Sequence, residues 1–64
     1  MTTKKILELE SGIYTATMEG EEITIRREKG FGFEIVHSPN SKGWCEVTMY
    51  DEDGNLEGQT VERH

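Results

Sequence analysis

The chain has 64 residues, thirteen Asp and Glu against seven Lys and Arg, a formal net charge of −6 and a single cysteine, Cys45. This length holds one domain, residues 1–64, which buries only about 60% of its unfolded surface, and one thiol excludes an internal disulfide. No apolar run approaches the ~20 residues of a membrane span, no apolar h-region marks a signal peptide, and a free thiol fits a reducing compartment, so a cytoplasmic protein without membrane contact is expected.

In chain order, Lys4 to Glu10 alternates Leu7 and Leu9 with Glu8 and Glu10 and reads as a first strand, with a short helix as the competing reading. Tyr14, Ala16 and Met18 then alternate with Thr15 and Thr17, and Ile23 and Ile25 with Thr24 and Arg26. Phe31, Phe33, Ile35 and His37 alternate with Gly32, Glu34 and Val36, and Cys45, Val47 and Met49 with Glu46 and Thr48. Such period-two runs, rich in β-branched and aromatic residues, are half-buried strands. The turns between them fall at Glu19-Gly20-Glu21, Glu28-Lys29-Gly30, the Ser38 to Gly43 loop with Pro39, and Asp51 to Asn55, whose Asp53-Gly54 is a two-residue hairpin signal. Leu56 to Val61 is a weaker last run. The fold class is all-β: a small antiparallel meander of five to six strands, as a twisted sheet or SH3-like partial barrel. A homodimer through a strand edge is a way for so thin a core to gain burial.

Lys29-Gly30-Phe31-Gly32-Phe33 resembles the first RNA-binding motif of cold-shock domains, small β-barrels that stack single-stranded bases on exposed aromatics. That resemblance implies a single-strand binder using Lys29, Phe31, Phe33 and His37. The chain departs from the family one residue later. Where the family has an apolar residue facing the barrel, this sequence has Glu34, and an unpaired buried carboxylate costs several kcal/mol. The residues therefore place Phe31, Phe33, Ile35 and His37 in the core and Glu34 in solvent. The net charge likewise opposes phosphate binding and favours basic partners.

Other chemistry is sparse. Asp51 to Asn55 lacks the glycine spacing of an EF-hand loop and reads as an acidic turn. His37 and Cys45 could approach across the Ser38 to Lys42 loop, but a zinc site needs two more ligands, from a symmetric dimer or from His64 and a carboxylate, and no metal is expected. Nothing orients a nucleophile, and no cofactor is expected, so the chain is read as non-enzymatic. Glu19, Glu21 and Glu22 cluster in one turn and Asp51, Glu52 and Asp53 in another, while Trp44 and Tyr50 lie opposite Cys45, Val47 and Met49. Together these eight residues are the expected partner-binding set, acidic turns and aromatic anchors suited to Lys and Arg of a partner.

In size, charge and sheet content the whole chain resembles the small acidic proteins that phages encode against host defence systems, such as anti-CRISPR proteins. The resemblance implies a stoichiometric inhibitor of a basic, nucleic-acid-handling protein such as a phage-defence nuclease, acting in the host cytoplasm. A cold-shock-like binder of single strands through Phe31 and Phe33 is the alternative.

Overall fold

A computed structural model describes residues 3–63. A short helix α1 (Thr3–Leu7) is followed by β1 (Gly12–Met18), β2 (Glu21–Glu28), β3 (Gly32–His37), β4 (Trp44–Tyr50) and β5 (Leu56–Arg63). The five strands form one sheet in the order β1-β2-β3-β4-β5, every neighbouring pair antiparallel. The sheet is an open meander and does not close into a barrel.

The expected first strand over Lys4 to Glu10 is instead α1 and its exit turn. Ile6, Leu7 and Leu9 are not spaced for one face of a strand, yet all three pack on the sheet, with Ile6 almost fully buried. Backbone bonds from Leu9 N–H to the Ile6 carbonyl and from Glu8 N–H to the Lys5 carbonyl close the helix. A sheet this small needs a cover on one face, and a helical turn concentrates apolar area there better than a sixth strand would.

Register assigns the two faces. Tyr14 pairs with Ile25 and Ala16 with Ile23; Ile25 in turn pairs with Ile35, and Phe33 with Tyr50. These residues share the face under α1, where Ile6, Ile23, Ile25, Phe33 and Ile35 form the core. Phe33 and Tyr50 stack with ring centroids 4.7 Å apart and planes 13° off parallel. The other face carries Val36 paired with Val47, together with buried Cys45. There Arg26 on β2 contacts Glu34 at 3.5 Å and Glu62 on β5 at 3.9 Å. In a flat sheet the Arg26 and Glu62 Cα atoms would lie about 20 Å apart, further than the two side chains reach. The contact therefore requires the sheet to bend toward this face, which buries Val47 without a second layer.

Arg27 is the only buried charged side chain among the described residues. It donates from Nη1 to the carbonyls of Glu28 (2.6 Å) and Gly32 (2.8 Å), and from Nη2 to that of Leu7 (3.1 Å). One guanidinium thus ties the end of α1 to both strands of the β2–β3 hairpin. Its Nε has no partner.

Two turn expectations are corrected. Phe31 does not join Phe33 in the core: it is 75% exposed, whereas Phe33 is 4% exposed. Strand β3 begins only at Gly32, and Phe31 closes the preceding turn through its N–H to the Glu28 carbonyl. Gly32 then takes φ +108°, which breaks the alternation between the phenylalanines. Glu34, expected in solvent, is only partly exposed because it pairs with Arg26. The two-residue hairpin turn is Glu19-Gly20, both at positive φ as a type I′ turn requires, and not Asp53-Gly54. Asp53-Gly54 lies within a longer loop closed by Asp51 N–H on the Asn55 carbonyl.

Three outcomes follow for stability. Arg27→Lys should lower stability by about 2–3 kcal/mol, because one ammonium cannot hold three carbonyls in a planar fork; urea unfolding reads this. Gly32→Ala should abolish cooperative unfolding, since its Cβ would sit 2.1 Å from the Tyr50 carbonyl oxygen. Gly30→Ala, with open space but φ +96°, should cost only about 1–2 kcal/mol in the same assay.

Candidate functional site

In a meander, alternate turns lie at opposite ends of the sheet. The Glu19-Gly20 turn and the loop over 38–43 share one end; the turn over 29–31 and the loop over 51–55 share the other. Strands of seven residues separate these ends by about 20 Å. The eight residues expected to bind a partner therefore divide. Glu19, Glu21, Glu22 and Trp44 sit at the first end, Tyr50, Asp51, Glu52 and Asp53 at the second.

The first end has the better-built site. Asn40 shapes the loop before β4: its Oδ1 accepts from Lys42 N–H (2.9 Å) and Trp44 N–H (3.2 Å), and its own N–H donates to the Trp44 carbonyl at 3.0 Å. These bonds hold the Trp44 backbone, and the residue is 39% exposed. Trp44 faces Arg63 across the β4–β5 ladder, and the guanidinium lies 5.8 Å from the ring centroid. Two residues along, Glu46 pairs with Val61 on the same face. From the β2 side, Glu21 Oε2 lies 3.5 Å from His37 Nδ1. Glu21, His37, Pro39, Trp44, Glu46 and Val61 line a shallow cleft of about 400 Å³. An aromatic face flanked by two carboxylates suits a cationic side chain, and Arg63 already lies over one face of that ring from within the chain.

The second end is more structural than it looked. Asp51 Oδ1 accepts the N–H groups of Asp53 and Asn55, each at 2.9 Å, so its carboxylate shapes the loop. Tyr50 is committed to its stack with Phe33. Of this set Glu52 and Asp53 are exposed, while Tyr50 and Asp51 are half-buried. Beside them a broader depression of about 580 Å³ is lined by Ile13, Arg26, Phe31, Glu34, Met49 and Glu57, among others.

The residues of the nucleic-acid alternative do not meet. Lys29 and Phe31 lie in the β2–β3 turn, Phe33 is in the core, and His37 is at the far end of β3 beside Glu21. One exposed aromatic is not a stacking platform for successive bases. His37 and Cys45 do not meet either. His37 shares the face of Ile35 and Cys45 the face of Val47, on opposite sides of the sheet. No group of three His, Cys, Asp or Glu that could hold a metal ion comes together among the described residues; His64 lies outside them.

No protein-family model, curated protein or solved structure matches this chain. Among the described residues, no helix is long and apolar enough to cross a membrane.

Glu46, Val61 and Arg63 were missed by sequence reasoning. Alternation along β4 already puts Glu46 beside Trp44; the partners from β5 depend on a register that a weak final run leaves open. The two acidic loops should respond differently to truncation. Asp51→Ala should cost about 1 kcal/mol in thermal or urea unfolding, as for lost caps. Glu52→Ala and Asp53→Ala should stay within about 0.5 kcal/mol of the parent.

Proposed function

We propose that this protein is a non-enzymatic binding module that captures a basic protein surface, with the Trp44 cleft as its centre. The observation that carries this reading is the juxtaposition of exposed Trp44 with Glu21 and Glu46 in one cleft. The surrounding field supports it. None of the thirteen carboxylates is buried, whereas Arg27 is withdrawn from the surface. Glu19, in the adjoining turn, carries no ion pair among the described residues and adds negative charge at this end, whereas Glu22 alternates onto the other face of β2.

Such a surface recognises arginine or lysine side chains by cation–π contact and charge, and it speeds encounter with a basic partner. A nucleic-acid-handling protein presents that chemistry, because its channel is lined with Lys and Arg to hold phosphates. Occupying those side chains with carboxylates would exclude the nucleic acid stoichiometrically. This is the mode implied by the likeness in character to phage-encoded inhibitors of host defence. Glu52 and Asp53, some 20 Å away at the far end of the strands, form no continuous surface with the cleft and play a secondary part.

Titration with an arginine-rich peptide should shift and quench Trp44 emission, and the affinity should fall as salt rises. Glu21→Gln combined with Glu46→Gln should weaken binding about tenfold or more, while charge removal at Glu52 and Asp53 changes it little. Peptide binding unaffected by the cleft variants would overturn the proposal. Tight binding of a single-stranded oligonucleotide, lost in Phe31→Ala, would replace it with the nucleic-acid alternative.

A further inference from the structure

The sheet has two open edges, and they differ in chemistry. The outer strand β5 carries Glu57, Glu62 and Arg63, and a register shift at Met49/Tyr50 disturbs its ladder. These are the devices by which edge strands avoid pairing. Strand β1 has none of them. Gly12-Ile13-Tyr14-Thr15-Ala16-Thr17-Met18 contains no charge and no proline, and its register with β2 runs without a break. In a chain of net charge −6, an uncharged seven-residue edge is where a second copy can approach closely.

The register defines which backbone groups are free. A two-residue turn makes its flanking pair, Met18 and Glu21, a hydrogen-bonded pair. Bonded pairs then recur at Ala16, Tyr14 and Gly12, so Ile13, Thr15 and Thr17 direct their N–H and C=O groups away from β2. These three positions are symmetric about Thr15.

We infer that the protein self-associates through β1, with the two β1 strands antiparallel and a twofold axis passing between the Thr15 residues of the two copies. In this arrangement Thr15 pairs with Thr15 of the second copy, and Ile13 with Thr17 in each direction. Every outward backbone group of the three residues is then satisfied. The two five-stranded sheets become one continuous ten-stranded sheet, and the exposed Ile13 side chain (75%) gains a neighbour from the other copy. A strand edge buries less than the ~1,200 Å² of a standard stable interface, so the association is weak and concentration-dependent. It uses no residue that lines the Trp44 cleft, since Ile13, Thr15 and Thr17 are not among them, and it responds oppositely to salt. Screening the repulsion between two acidic copies tightens the pairing, whereas it weakens capture of a basic ligand.

Sedimentation equilibrium of the intact chain from about 10 µM to 1 mM should show the mass rising from the 7.3 kDa monomer toward twice that value, more readily at high salt. Thr15 is exposed and faces only Thr24 across β2, so Thr15→Lys and Thr15→Glu should each retain the parent circular dichroism. Each variant alone should be monomeric, because like charges would stand opposite one another across the axis. Mixed in equal amounts, they should restore the dimer. A parent that stays monomeric to 1 mM overturns the inference. So does a dimer that persists in both single variants, or a mixture that does not re-associate.

Discussion

The Arg27 guanidinium is the contact on which the rest of this fold depends. A five-residue helix cannot persist alone in water, and its position over the sheet is set by two things: burial of Ile6 and the bond from Arg27 to the Leu7 carbonyl. The same guanidinium holds the Glu28 and Gly32 carbonyls of the β2–β3 turn. Gly32 in turn lies hard against the Tyr50 carbonyl, where a side chain has no room. Helix, central hairpin and the end of β4 thus meet at one small region, and Phe33 stacks on Tyr50 beside it. A cation buried among neutral carbonyls is an unusual anchor. It serves here because the guanidinium donates in several directions at once, and its charge strengthens each bond.

That concentration of structure at one end leaves the other end free for recognition. Around the β1–β2 turn and the loop before β4, the chain carries its exposed tryptophan and four of its carboxylates, Glu19, Glu21, Glu22 and Glu46, and no buried charge. The division also explains why the Asp51 loop, as acidic in sequence, is a poorer binding surface. Asp51 spends its carboxylate on the loop's own backbone. Acidity along the chain measures how many carboxylates there are, while their availability depends on which of them the local backbone has already engaged.

Much of the sheet was legible in the sequence. Alternation located four of the five strands, put Trp44 and Tyr50 on the face opposite Cys45, Val47 and Met49, and indicated a meander. The parts that were not legible share a physical cause: alternation says nothing where the backbone leaves the β region. Phe31 and Phe33 are two residues apart, yet positive φ at Gly32 and the turn at Phe31 send one to solvent and the other to the core. The Leu7 and Leu9 spacing alone reads as a strand; Ile6 breaks that alternation, and only the need to cover Ile23, Ile25 and Ile35 decides for the helix. The bend that brings Arg26 to Glu62 couples strands that are not neighbours, and no local pattern encodes it. For the same reason the pairing of Trp44 with Arg63 could not be read before β5 had a register.

The order of the strands has a kinetic meaning as well. Each strand hydrogen-bonds only to its neighbours in sequence, so no pairing waits for a distant piece of chain, and the loops to be closed are short. Sheets usually fold slowly because they rely on long-range pairings; here the β1–β2 hairpin can zip outward from its tight Glu19-Gly20 turn, and the others can add to it one at a time. The longest-range side-chain hydrogen bond among the described residues is the one from Arg27 back to Leu7, twenty positions away, and beyond it only the exposed Arg26–Glu62 ion pair reaches further along the chain. Docking of the helix is then the natural final step of assembly, the moment at which a string of hairpins becomes a closed core.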